Sequence, residues 1–242
     1  MEFQSNPLLV IKPKGITSFT AVNQLKAVLP KKTKIGHCGT LDPMAEGLLI
    51  VLVGRSQTKL QSTFLNLNKV YIAEITFGVT SNTYDIDTNS ILKFSEKFNK
   101  IKDLDLDIIN STLSENFQGE ITQTVPAYSA VKVKGKRLYE SARQHIKLDL
   151  PARKVTIYSF NILNFINKYK EGSKDLSVLP KLQVEFKVSK GTYIRSIAHD
   201  LGNLLGVGAV LSGLNRVSIG DYSIEHAITL EKAQLMLKDN FI

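Results

Sequence analysis

The segment GHCGTLDPMAEGLLIVLVG, residues 36–54, sets a single carboxylate, Asp42, between a glycine-flanked turn and Pro43, just upstream of a six-residue apolar run. Proline disfavours helical geometry at the residue before it, and Gly36, Gly39 and Gly47 permit tight backbone paths, so the loop is shaped. A carboxylate held on such a loop beside a buried strand is positioned for use. Aspartate before proline is also an ordinary helix N-cap or turn residue, and the local pattern leaves both readings open. A second chemistry-bearing stretch is QTVPAYSAVKVKGKRLYESARQHIKLDLPARK, residues 123–154, where cations alternate with apolar residues and with Tyr128 and Tyr139. Cations suit phosphates and aromatic faces suit unstacked bases, so the stretch reads as an RNA-gripping loop or as an exposed hairpin with solvating lysines.

The elements that must position these residues are mixed. Residues 48–53 are rich in branched side chains, too short for a typical helix, and read as a strand buried on both faces. A short strand at 8–11 leads through a Lys-Pro-Lys-Gly turn into a helix capped by Thr17 and Ser18, carrying Val22, Leu25 and Val28 at helical spacing and ended by Pro30. Residues 71–77, 155–165 and 182–188 read as strands. Leu106, Ile109, Leu113 and Phe117 mark a helix, residues 194–205 another, and 81–100 reads as polar loop.

Composition narrows the function classes. With 43% hydrophobic and 22% charged residues, the 242-residue chain has globular composition and enough length for one sizeable core. Neither a signal peptide nor a membrane span is supported, so a cytoplasmic location is expected. Cys38 is the only cysteine, and His37, His145, His199 and His226 lack metal-ligand spacing, so no metal site is expected. Walker and dinucleotide fingerprints are absent, which disfavours nucleotide-driven and redox chemistry. The net charge of +9 is concentrated in residues 1–34 and 131–154, while 84–120 is net acidic. That distribution suits a polyanion-binding face, with nucleic acid as the leading partner class.

Six segments in order resemble the bacterial tRNA pseudouridine synthases of the TruB family: LLVIKPKGITSF (8–19), KIGHCGTLDPMAEGLLIVLVGRSQTKL (34–60), KVYIAEITFGVTSNTYDIDT (69–88), TVPAYSAVKVKGKRLYESAR (124–143), SKGTYIRSIAHDLG (189–202) and LSGLNRVSIG (211–220). The resemblance implies an α+β fold, with a mixed central sheet, a catalytic cleft, flanking helices and a loop insertion that grips RNA. It implies a catalytic domain at 1–223, with 123–154 as the thumb loop. Many family members continue into a small PUA domain; here SIEHAITLEKAQLMLKDNFI follows, so 224–242 is expected to be a short tail without a full PUA domain.

The implied activity is isomerisation of uridine to pseudouridine at position 55 in the T loop of tRNA, with no metal or other cofactor. The expected partner is the T-arm stem-loop, with neither a membrane nor an obligate protein partner. Within that resemblance Asp42 is the nucleophile, Arg195 pairs with it, and Tyr71 stacks on the uracil and relays a proton. Leu214 walls the base pocket, and His37 fills the stack vacated by the flipped base. Lys12 is a phosphate or scaffold contact, and Tyr128, Lys132, Lys134 and Arg137 meet RNA from the thumb loop. The rival readings are a pseudouridine synthase for another RNA and an RNA-folding chaperone that keeps the cleft.

Overall fold

Beta strands account for most of the framework in the computed structural model, which describes residues 6–87, 90–133, 135–144, 146 and 149–239; Lys134 and His145 lie outside them. The chain divides into two compact units, Met1–Ile72 with Leu214–Ile242, and Ala73–Gly213. Two strands, Lys69–Phe77 and Ala209–Ile219, run through both.

In the first unit, neighbouring strands follow the order Ile228–Thr229, Leu8–Lys12, Glu46–Val53, Ala209–Ile219 and Lys69–Phe77, and Ile35–Cys38 also pairs with Glu46–Val53. The sheet is mixed. Leu8–Lys12 is antiparallel to Glu46–Val53, with Lys12 opposite Gly47, whereas Ala209–Ile219 is parallel to it, with Arg216 opposite Gly47. Every residue of Glu46–Val53 after the first is buried, which is why its apolar run shows no alternation. Val10, Leu49, Val51 and Val53 pack against Ala21, Val22 and Leu25 of the helix Ser18–Ala27 and Leu230, Ala233 and Leu237 of the helix Leu230–Asp239. Each helix thus buries positions spaced three or four apart, at about 1.5–3 kcal/mol for each large aliphatic side chain. Thr17 caps the first helix by accepting a hydrogen bond from the Thr20 amide at 2.9 Å.

In the second unit the order continues from Ala209–Ile219 and Lys69–Phe77 to Lys181–Val188, Ala152–Ile166 and the edge strand Gly119–Thr124. The helix Leu106–Phe117 buries Ile109, Leu113 and Phe117, as its periodicity requires, and is capped by Asp105. The helix Ile194–Leu204 is buried along most of its first two turns. The expected polar loop at 81–100 is instead partly ordered, with a hairpin of Val79–Ser81 and Leu92–Phe94 and a short helix Phe98–Lys102. Leu92 and Phe94 pack on Val79, Leu179 and Val210, so tertiary burial supplies what the polar local sequence does not.

Candidate active site

Asp42 sits half-buried on a loop held at both ends and in the middle. The Ser18 hydroxyl accepts from the Leu41 amide at 2.8 Å and donates to the Leu41 carbonyl at 3.2 Å. The Gly15 amide donates to the Pro43 carbonyl, the Ala45 amide closes a turn on the Asp42 carbonyl, and Arg216 Nη2 donates to the Gly39 carbonyl at 3.0 Å. Lys12 and Arg216 line the sheet beneath this loop. Both are essentially without solvent exposure, and Arg216 Nε also donates to the Leu48 carbonyl at 2.8 Å. Gly47, opposite both residues in the sheet, has φ +111°, and a Cβ there would come within 2.4–2.6 Å of Asn215 Oδ1 and the Arg216 backbone. A side chain at 47 would therefore push Arg216 off the loop it secures.

The electrostatics of this cluster are set by burial. Burial lowers the Lys12 pKa to about 8; the Asp42 carboxylate works the other way, and Arg216 adds to the lowering. Lys12 Nζ donates to the Pro13 and Ile16 carbonyls at 2.7 and 2.8 Å, so its ammonium props up the turn before the helix and places a cation near Asp42. His37, on the strand Ile35–Cys38, has its pKa lowered by burial and by Arg216, so its ring is biased toward the neutral form. Its Nδ1 is buried without a hydrogen-bond partner among the described residues. Burial also pushes the Cys38 thiol up to about 11, which keeps it protonated and a poor nucleophile.

Tyr71 and Leu214 are almost fully buried on neighbouring strands of the same unit. Side chains two apart on a strand share a face, which groups Leu214 with Arg216 and Tyr71 with Lys69. Arg216 reaches Gly39, and Lys69 Cε lies 4.0 Å from the Cβ position of Gly39, so both pairs lie on the face that carries the Asp42 loop. The first unit therefore gathers Lys12, His37, Asp42, Tyr71 and Leu214, as residues of one sheet face or its adjoining loop.

Arg195 belongs to the second unit, in the first turn of Ile194–Leu204, and is 3% exposed. The start of that helix is pinned by Gln123, whose amide donates to the Tyr193 carbonyl at 3.0 Å and accepts from the Tyr193 amide at 2.7 Å. Arg195 Nε faces Asp85 Oδ2 at 3.5 Å, Nη1 donates to the Thr83 carbonyl at 2.9 Å, and Nη2 donates to the Tyr128 carbonyl at 3.0 Å. Asp85 Oδ1 in turn accepts from the Thr83 and Ser90 hydroxyls and the Asp87 amide. Burial raises the Asp85 pKa, and Arg195 and these donors oppose that rise. Tyr128 accepts a hydrogen bond from Asn82 at its hydroxyl. Lys132 and Arg137 face one another on an exposed two-stranded hairpin, Lys132–Val133 with Lys136–Arg137. Arg137 also donates to the Tyr139 hydroxyl at 3.2 Å.

Sequence reasoning passed over Arg216 and Asp85. Both lie inside quoted motifs, but an isolated charged residue in a strand or turn carries no spacing signal. The usable clue was that such a residue lies where a buried sheet leaves no solvent for it.

A mixed sheet with flanking helices and a tethered aspartate loop is the arrangement that the resemblance to pseudouridine synthases implied. Solved structures agree in fold. A chain of an H/ACA RNP bound to a substrate RNA containing 2'-deoxyuridine superposes with TM-score 0.65 at 24% identity, over 98% of this chain and 55% of that one. A chain of a Cbf5-Nop10-Gar1 complex gives 0.64 at 26%, over 98% and 56%. This chain thus spans little more than half the length of those chains. The TruB family pseudouridylate synthase N-terminal domain matches residues 26–194, and the tRNA pseudouridylate synthase B C-terminal domain matches 195–240. The chain belongs to the TruB family of pseudouridine synthases. Among its relatives, tRNA pseudouridine synthase B of Clostridium kluyveri is 42% identical over 93% of this chain and 70% of that protein. The corresponding protein of Aquifex aeolicus is 38% identical over 93% and 72%.

Proposed function

We propose that the chain converts uridine to pseudouridine at position 55 in the T loop of tRNA, with Asp42 as the nucleophile. The observation that carries this is the Asp42 loop, fixed by Ser18, Gly15 and Arg216 with the Lys12 cation nearby. A carboxylate so restrained loses little freedom on reaching the transition state. The reaction breaks the bond from the ribose anomeric carbon to ring nitrogen, turns the uracil, and joins the same carbon to ring carbon 5. The proton leaves carbon 5 and the ring nitrogen gains one, so no atoms enter or leave overall. Asp42 either attacks the anomeric carbon or promotes uracil departure through a glycal, and both routes use one carboxylate.

In this reading Arg195 pairs with Asp42 and orients it, while Asp85 and the Thr83 and Tyr128 carbonyls fix the guanidinium. Tyr71 stacks on the uracil and its hydroxyl relays the proton from carbon 5; Leu214 forms an apolar wall. Flipping the uridine costs a few kcal/mol of unstacking, and the neutral His37 ring fills the gap. Lys132, Arg137 and Tyr128 bind the T-arm, and the protein works in the cytoplasm without an obligate protein partner. Among the described residues no helix is long and apolar enough to cross a membrane.

Single-turnover assay of Asp42→Asn on tRNA tests the nucleophile: the variant keeps the shape of the side chain but not its charge, so RNA binding persists and product formation stops. Turnover near the wild-type rate would sink the assignment. Mapping pseudouridine in RNA from cells lacking the protein tests the target. Loss at uridine 55 alone supports it, whereas loss at other positions redirects the enzyme to another RNA.

A further inference from the structure

Tyr84 is one of two non-glycine residues among those described with positive φ, at 66°, a conformation that an aromatic residue rarely adopts and that persists only when its surroundings enforce it. It lies between two of the three residues that engage Arg195, the third being Tyr128. The Thr83 carbonyl accepts from Nη1 and the Asp85 carboxylate faces Nε, so the backbone turn at Tyr84 decides whether both reach one guanidinium.

The turn is held from two sides. The Tyr84 ring lies flat on the His199 ring, with centroids 3.8 Å apart and planes 14° from parallel, and the Tyr84 carbonyl accepts from the Leu211 amide at 2.9 Å. Arg195 and His199 stand four apart on the helix Ile194–Leu204, on one face and successive turns. Adjacent residues 84 and 85 therefore grip adjacent turns of the helix. His199 Nε2 is in turn fixed by Asn203 Nδ2 at 3.0 Å, one turn further along. Burial lowers the His199 pKa and so favours the neutral ring, which stacks without bringing a charge into the site.

We propose that the Tyr84–His199 stack is a positioning device for the reaction: it locks the left-handed turn that aims Asp85 and the Thr83 carbonyl at Arg195, and thereby fixes the guanidinium. The pair touches neither substrate nor reacting atoms and acts through Arg195. The proposal rests on the reading of Arg195 as a residue of the isomerisation.

The test measures single-turnover rate at saturating tRNA, tRNA Kd and thermal melting for the full chain and its variants. His199→Ala removes one face of the stack and is expected to slow the rate by about tenfold or more with Kd within about twofold, a loss confined to the transition state. His199→Phe restores a flat ring without a ring nitrogen and is expected to recover the rate to within about threefold. Tyr84→Gly accommodates positive φ without strain but has no ring, so its rate is expected to fall like that of His199→Ala while melting holds. Combining the two is expected to cost no more than either alone, because both remove the same contact.

A rate within about twofold of wild type in both His199→Ala and Tyr84→Gly overturns the proposal. So does a loss that follows a fall in melting temperature and is not rescued by His199→Phe, since that is the signature of general destabilisation. Arg195→Ala separates this proposal from the reading beneath it. If Arg195→Ala is active, the role of Arg195 falls and the positioning role falls with it. If Arg195→Ala is inactive while both stack variants keep full rate, only the positioning role falls.

Discussion

The ammonium of Lys12 is buried against the carbonyls of Pro13 and Ile16, and burial brings its pKa from the ordinary lysine value of 10.5 to about 8. Between those two values the unfolded chain keeps a proton that the folded chain has released. Stability therefore rises with pH across that window, while below about 8 the fold bears the full cost of burying the cation. The shift corresponds to something on the order of 3 kcal/mol. Lys12→Met keeps most of the volume and removes the titration. Urea unfolding of both proteins at about pH 7 and about pH 10.5 is expected to show the wild type gaining on the variant as pH rises. A stability difference independent of pH would contradict this. Lys12 stood out in the sequence only as part of a Lys-Pro-Lys-Gly turn, where a phosphate contact and a scaffold contact look alike. Its bonds run to the carbonyls of Pro13 and Ile16.

At the scale of elements, the Asp42 loop depends on the helix Ser18–Ala27. Ser18, the first residue of Ser18–Ala27, is fully buried and meets both backbone polar groups of Leu41, next to Asp42. Ser18→Ala leaves a buried amide and carbonyl without that partner, at an expected cost of about 1–3 kcal/mol in stability. Because the loop loses an anchor one residue from Asp42, the proposed nucleophile, the single-turnover rate is expected to drop by about tenfold or more with tRNA affinity nearly unchanged. Chemical denaturation and single-turnover assays check the two parts separately. An unchanged rate would show that Gly15 and Arg216 hold the loop without help. Ser18 was legible as a cap-region residue beside Thr17, but its second role depends on a contact 23 residues away in the chain.

Across the molecule, the charge of +9 is sited as well as sized. Lys132, Lys136 and Arg137 are exposed on a hairpin whose turn contains Gly135 at φ +83°. Arg137 and Arg143 both lie over the Tyr139 ring, at 5.9 and 5.4 Å from its centroid, which makes a cationic and aromatic surface suited to RNA. Neutralising Lys132, Lys136 and Arg137 is expected to weaken tRNA binding and to flatten the log-log salt dependence by somewhat under about one unit for each lost phosphate contact. Kd titrations across a salt series read the slope directly. A slope identical to wild type would assign these cations to solvation alone.

The sequence by itself determined the local elements with a dominant period. These are the helix Ser18–Ala27 with its cap, the buried strand Glu46–Val53, the helix Leu106–Phe117, and the turn that carries Asp42. Its six ordered motifs also carried the family resemblance, because those motifs are contiguous and survive without knowledge of the fold. It gave no reading for the strands Ile35–Cys38, Gly119–Thr124 and Ala209–Ile219. GEITQT is a largely polar edge strand, and AVLSGLNRVSI interrupts its apolar residues with glycine and polar side chains, so neither has a clean alternation. Only the tertiary structure decided that Arg216 would reach Gly39 and that Arg195 would face Asp85. Such partners lie more than a hundred residues apart, and pairing across that distance is set by sheet register and helix placement. No local period encodes which carboxylate or carbonyl a buried guanidinium will meet, because the free energy that selects it comes from burial shared by the whole sheet.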